Sequence, residues 1–220
     1  PSPLSIYENI FKLEPGYYLT IEYSSLNINK FQYWSLGENI TSFKALEIKD
    51  EEPSIELLED AIESSIKSQM LSDVPLGAFL SGGIDSSLIV AKMQKLSSKK
   101  IKTFTIGFED KDYDESLFAK AVSDHFKTNH FTMNVTEEDA LQVIKSLPDI
   151  FDEPFADSSQ IPTYLVSKAA QEEVSVILSG DAGDEIFGGY NRYIWVPRLW
   201  KFIKFVPLFI RRFFLRIIIS

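Results

Sequence analysis

From Pro53 onward the sequence alternates between two hydrophobic periods, and that alternation leaves few architectures open. Ile55, Leu58, Ile62, Ile66 and Met70 recur every three to four residues, with Leu57 and Ala61 beside them. This predicts an amphipathic helix with Pro53 near its first turn. "VPLGAFL" (74–80) reads as a short buried strand, followed by a glycine turn and a helix through Leu96. "IKTFTIGF" (101–108) is a second strand, rich in β-branched and aromatic residues. Residues 115–126 make a helix, "HFTMNV" (130–135) a third strand, residues 162–171 another helix, and "VSVILSG" (174–180) a fourth strand. Thr136 with Asp139 resembles a capping box that opens one more helix. Strands alternating with helices predict an α/β fold, a parallel doubly wound sheet with helices on both faces. In such sheets ligands bind beyond the carboxyl ends of the strands.

The first 40 residues read differently. "EPGYYLTIEY" carries a Pro-Gly turn and then alternation through Tyr18, Thr20 and Glu22, and "KFQYWSL" can pair with it. Polar, acidic residues follow, giving a boundary scheme of 1–40, a linker at 41–52, and a second domain over 53–220. The chain starts at Pro1 and ends in "FFLRIIIS", and reads as a piece of a longer protein.

Composition excludes several function classes. There is no cysteine, so disulfides, a cysteine nucleophile and thiolate metal sites are out. That fits a reducing, cytoplasmic setting. His125 and His130 have no obvious ligand partner and read as ordinary structural histidines. The net charge of −10 argues against nucleic acid as a partner. From Tyr190 onward, however, there are seven Arg or Lys and no acid, so the preceding residues carry all of that charge and seven more. This basic tail is also apolar. It reads as a pair of helices broken at Pro207 and buried against partners in a C-terminal part lacking here, or as a membrane-surface helix. Charges interrupt every long apolar run, so it is not a transmembrane span, and a membrane partner is not expected.

Two strand ends carry chemistry. In "SGGIDSS", Gly82 and Gly83 let the backbone turn sharply and approach a ligand closely. Backbone N–H groups and the Ser81, Ser86 and Ser87 hydroxyls then converge on a helix N-terminus, which suits phosphate or pyrophosphate. No Gly-Lys-Ser/Thr follows, so this is not a Walker loop. Asp85 beside a phosphate makes sense if a cation lies between them, and Mg²⁺ prefers carboxylates plus phosphate oxygens. The plain alternative is a glycine-rich turn with Asp85 or Ser86 as N-cap. The second stretch, "SGDAGDEIFGGY" (179–190), puts Asp181, Asp184 and Glu185 just beyond another strand. Such acids need a metal or donors, unless the loop is simply solvated and Gly188-Gly189 caps a helix.

Together these stretches resemble the synthetase domain of the glutamine-dependent asparagine synthetase family, a branch of the ATP pyrophosphatases with the "SGGxDS" loop. "VPLGAFLSGGIDSSLIVA", "FTIGFED…YDES", "FDEPFADSSQIPTYLVSKAA" and "SGDAGDEIFGGYNRY" carry the resemblance, the last being similar to the family's SGxGxDExFGGY element. The first 35 residues look like the tail of a glutaminase domain, so a short β remnant would precede an adenine nucleotide alpha hydrolase-like sheet. The resemblance implies that ATP adenylates aspartate or another carboxylate, releasing pyrophosphate. Ammonia, supplied by a glutaminase domain lacking here, then forms the amide. Carried over, Ser81, Gly82, Gly83, Ser86 and Ser87 would hold the pyrophosphate, and Asp85 and Asp184 would hold Mg²⁺. Leu80 and Ile106 would flank the adenosine, or simply pack in the core. Ser179 and Gly180 would touch the nucleotide or acyl group, and Asp181 would act catalytically by orienting the amine or acyl-adenylate. Asp152, Glu153 and Asp157 match a segment near the acceptor site. A homodimer is compatible with the family.

Departures accompany the resemblance. The family's N-terminal cysteine nucleophile is missing, and Lys201 and Lys204 lie too close to the FGGY element to match its downstream lysine. The arginine that some members place near Asp157-Ser158-Ser159 is also missing. The acceptor therefore stays open between aspartate and another carboxylate. A tRNA-modifying pyrophosphatase is the more distant alternative.

Overall fold

Backbone hydrogen bonding follows the two periods of the sequence. The computed structural model describes residues 2–43, 50–108, 114–154, 156–208 and 210–212. In chain order the elements are β1 (Tyr17–Ile21), β2 (Ile28–Gln32), α1 (Leu36–Phe43), α2 (Glu51–Gln69), β3 (Leu76–Phe79), α3 (Ile84–Leu96) and β4 (Lys102–Phe108). There follow α4 (Ser116–Phe126), β5 (Asn129–Val135), α5 (Glu137–Ile150), α6 (Gln160–Ala170), β6 (Val176–Leu178), α7 (Gly183–Phe187) and α8 (Asn191–Ile203). The chain forms two compact units: Pro1–Ser65 with Glu137–Ile161, and Ile66–Thr136 with Pro162–Ser220.

In the first unit β1 and β2 pair antiparallel, as the Pro-Gly turn and alternation predict. Tyr18 faces Phe31 across the pair, and their rings stack at 5.2 Å. The Tyr7 hydroxyl donates to the Asp152 carbonyl at 2.9 Å, and the Lys12 ammonium pairs with Glu153 at 2.9 Å. Two of the acids matched to an acceptor segment therefore tie down the start of the chain. The third, Asp157, accepts the Ser159 N–H at 2.9 Å, which holds its carboxyl below the usual carboxylate range. Helix α1 occupies part of the stretch read as linker; residues 44–49 of that stretch lie outside the described residues.

The second unit is built on a parallel sheet in the order β5-β4-β3-β6. From β3 the chain steps outward through α3, β4, α4 and β5, then returns to place β6 on the other side of β3. Side chains alternate across β4. Thr103 and Thr105 are buried on one face, where Thr103 Oγ1 shares hydrogen bonds with Thr128 Oγ1 (3.0 Å) and His130 Nδ1 (2.9 Å). The Thr128 hydroxyl donates to Ser123 Oγ of α4 at 2.8 Å, so α4 covers this face. Phe104 points the other way, into a cluster with Ala170 and Val174, joined by Phe79, Phe131, Val166 and Ile177. Ala170 and Val166 belong to α6, so helices lie on both faces, because a strand's two-residue period requires two apolar covers.

One element differs from expectation. The acidic stretch 181–187 is not all loop, since it contains the short α7. The basic tail forms α8, which ends before Pro207 and buries none of its residues among the described residues. Residues 213–220 of the tail, and 109–113 after β4, lie outside the described residues. No described helix is long and apolar enough to cross a membrane.

Candidate active site

The strand order reverses between β3 and β6, and the carboxyl ends of these two strands carry the two glycine-serine motifs. Beyond them lies a cavity of about 700 Å³. Ser81, Gly83, Asp85 and Ser86 line it from the first motif, and Ser179, Gly180, Asp181 and Asp184 from the second. A switch point in strand order is where a parallel sheet opens a crevice, because the two outgoing loops diverge to opposite sides.

The first loop is organised by its own hydroxyls. Ser81 Oγ and Ser86 Oγ lie 3.0 Å apart, the Ser81 N–H donates to Ser86 Oγ at 3.2 Å, and the Gly83 N–H donates to Ser81 Oγ at 3.2 Å. Gly82 turns the chain at φ +85°, with Phe118 Cβ only 2.6 Å from where a Cβ would sit. Gly83, rather than Asp85 or Ser86, is the N-cap of α3, and no side chain caps the helix. The first turn of α3 is thus open to a ligand instead of being closed by a carboxylate. Ser87 Oγ is buried without a hydrogen-bond partner among the described residues, and Ser87 is not on the cavity wall. Leu80 continues β3 through its N–H to the Phe104 carbonyl (2.9 Å), and its side chain is 1% exposed. Neither Leu80 nor Ile106 lines the cavity.

The two loops meet through glycines. A Cβ on Gly180 would sit 2.7 Å from the Ser86 nitrogen, and one on Gly183 would sit 2.5 Å from Asp85 Cγ. The Asp85 carboxylate therefore rests against the backbone just before Asp184.

The four acids of the cavity differ in what holds them. Asp181 accepts the Ser179 hydroxyl at 2.9 Å. Glu185 accepts the Tyr190 hydroxyl at 2.7 Å, which is the main reason its carboxyl lies below the usual range, with Arg192 adding to it. The same bond raises the Tyr190 phenol. Among the described residues, Asp85 and Asp184 have no side-chain hydrogen bond or ion pair. Two part-buried, unpartnered carboxylates facing one cavity fit a divalent cation completed by phosphate oxygens. No group of three or more His, Cys, Asp or Glu forms a metal cage among the described residues.

Sequence reasoning passed over several residues on the cavity wall, chiefly Gly183, Phe187, Gly189 and Tyr190. The signal was present, since all lie within six residues of Asp184, but only the folded turn shows which of them line the cavity.

The fold and site define a doubly wound α/β domain with a phosphate-type loop and a carboxylate pair at its switch point. The asparagine synthase family model matches residues 57–216, and the chain belongs to that family. It is 44% identical over 212 residues to the putative glutamine-hydrolyzing asparagine synthetase 2 of Methanocaldococcus jannaschii, covering 96% of this chain and 40% of that protein. It is 36% identical over 193 residues to the glutamine-hydrolyzing asparagine synthetase 1 of Bacillus subtilis, covering 88% of this chain and 29% of that protein. Among solved structures, NMN synthetase from Francisella tularensis aligns with a TM-score of 0.46 and 13% identity, over 66% of this chain and 61% of that one. The chain thus spans well under half the length of the curated relatives it matches.

Proposed function

We propose that this chain supplies the adenylating site of a glutamine-hydrolysing asparagine synthase, an AMP-forming carbon–nitrogen ligase. The observation that carries this reading is the switch-point cavity, where the "SGGIDSS" loop faces the only two acids of the site without partners, Asp85 and Asp184.

In this reading the carboxylate oxygen of aspartate attacks the α-phosphorus of ATP and pyrophosphate leaves. Ammonia then attacks the acyl carbon, and AMP departs as the amide forms. Ser81, Gly82, Gly83 and Ser86 hold the pyrophosphate through loop N–H groups and hydroxyls already set in position, so little reorganisation is needed as charge develops. The Ser87 hydroxyl, without a partner among the described residues, adds to that cradle. Asp85 and Asp184 would hold Mg²⁺, which neutralises phosphate charge when bound. Ser179 and Gly180 abut the nucleotide or acyl group. Asp181, oriented by the Ser179 hydroxyl, accepts a hydrogen bond from the incoming amine. The adenosine lies towards the carboxyl ends of β3 and β4, over Leu80 and Ile106. Ammonia comes from a glutaminase portion, and the cytoplasm and a homodimer belong to the same reading through the family.

The test is pyrophosphate exchange into ATP by the full-length protein. Exchange that requires both Mg²⁺ and aspartate is the expected result. Exchange driven only by a different carboxylic acid would remove aspartate while keeping the adenylation chemistry, and no exchange with any acid would overturn the reading.

A further inference from the structure

The acidic turn is held from outside the cavity. Helix α7 has five residues, too short to persist on its own, and it ends at Gly188 (φ +71°) and Gly189, the least restrained link a chain can offer. Yet the Asp184 carboxylate must stay in one place, packed against Gly189. A bridge crosses that glycine pair. The Arg192 guanidinium, in the first turn of α8, lies 4.0 Å from the centre of the Tyr190 ring. The Tyr190 hydroxyl reaches back 2.7 Å to Glu185 Oε1 in α7. Tyr193 packs beside Tyr190 with ring centres 5.8 Å apart, and Arg192 is 5.9 Å from the Tyr193 ring.

We infer that Arg192 is a positioning residue for this site, acting through Tyr190 on Glu185, so that of the two adjacent acids only Asp184 is left to take a cation. The inference rests on the reading of the cavity as a nucleotide site. Three features make Arg192 fit this role. Its planar cation stacks on the ring face, where the π-electrons are negative. Its charge also opposes that of Glu185. And it stands outside the cavity wall, so it acts without touching the reacting atoms.

The experiment uses the full-length protein and the variants Arg192→Met, Arg192→Lys and Tyr190→Phe. In ligand-free protein, amide hydrogen exchange over residues 183–189 reads the order of the turn. Equilibrium binding of ATP with Mg²⁺, and the split of kcat from KM, read its consequence. Arg192→Met should speed exchange and weaken ATP binding by about threefold, the size a half-exposed cation–π contact supports. KM should rise with kcat unchanged. Arg192→Lys should recover part of both losses, since an ammonium can sit over the ring but cannot stack on it, and Tyr190→Phe should loosen the same amides. Wild-type exchange in Arg192→Met, a Lys variant no better than Met, or a fall in kcat with KM unchanged would each overturn the inference. The exchange measurement needs no nucleotide. If the wild-type protein bound no ATP, the proposed function would fail while the role of Arg192 was still decided.

Discussion

Gly183→Ala separates the stability of the fold from the chemistry of the site. Gly183 opens α7 with a backbone that any residue tolerates, and alanine raises helix propensity by about 1 kcal/mol there. The new methyl, however, would lie 2.5 Å from Asp85 Cγ, 2.6 Å from Oδ2 and 2.9 Å from Oδ1. Carbon–carbon contact begins near ~3.5 Å, so the carboxylate must retreat by about 1 Å. It is the end of a short side chain and can turn aside, at a cost of roughly 0.5–1.5 kcal/mol off its rotamer. The two terms nearly cancel, and the melting temperature should move by no more than a few degrees. The chemistry does not share that cancellation. A misplacement of ~1 Å in a group that positions the reacting phosphate can cost on the order of 10²-fold. Gly180→Ala is the contrast, because its methyl meets the Ser86 nitrogen at 2.7 Å and the Asp85 carbonyl carbon at 2.9 Å, which are backbone and cannot turn. That variant should lose roughly 1–3 kcal/mol of stability as well as activity. The assay is pyrophosphate exchange beside a thermal melt of the full-length protein. Full exchange in Gly183→Ala would refute the claim that the Asp85 carboxylate works from its place against Gly183.

Asp85→Asn and Asp184→Asn should each abolish exchange while leaving the melt nearly unchanged, since neither carboxylate has a partner to lose; normal exchange in both would remove the metal assignment. Ala182 sits at φ +70°, where an L side chain costs about 1–2 kcal/mol. Ala182→Gly should therefore raise the melting temperature, and an unchanged or lower value would show that the turn is not strained. His130 is held neutral, its pKa lowered chiefly by burial and secondarily by Lys120, with Asp124 opposing. The unfolded chain binds its proton more readily, so this stability is full above the ordinary histidine value of about 6.5 and is lost as pH falls below it. The fall of melting temperature from pH 6.5 to 5 should be shallower in His130→Gln, and equal slopes would refute the assignment.

Much of the secondary structure, and the two loops that line the cavity, were legible in the sequence. The periods of 55–70 and 101–108, and the small residues after two apolar runs, are local signals that act within a few residues. They define α2, β3, β4 and the loop at Ser81–Ser87, and they mark Asp85 as a carboxylate with no reason to sit beside a phosphate unless a cation joins it. Helix α1 escaped because its polar composition resembles a linker, and α7 because Asp, Gly and Glu favour turns until neighbours hold them in a helix. The burial of Leu80 and of the Ser87 hydroxyl also needed the folded chain.

The sequence by itself determined the two glycine-serine loops and the acids that stand in them, because those belong to side chains and short spacings. Only the tertiary structure decided that β6 lies beside β3, that Gly180 and Gly183 let the two loops touch, and that Tyr190 and Arg192 engage Glu185 while Asp184 stays free. The first two are contacts between residues about a hundred positions apart, and they follow from how a sheet orders its strands. The third is close in sequence but depends on how the glycine pair after α7 turns the chain.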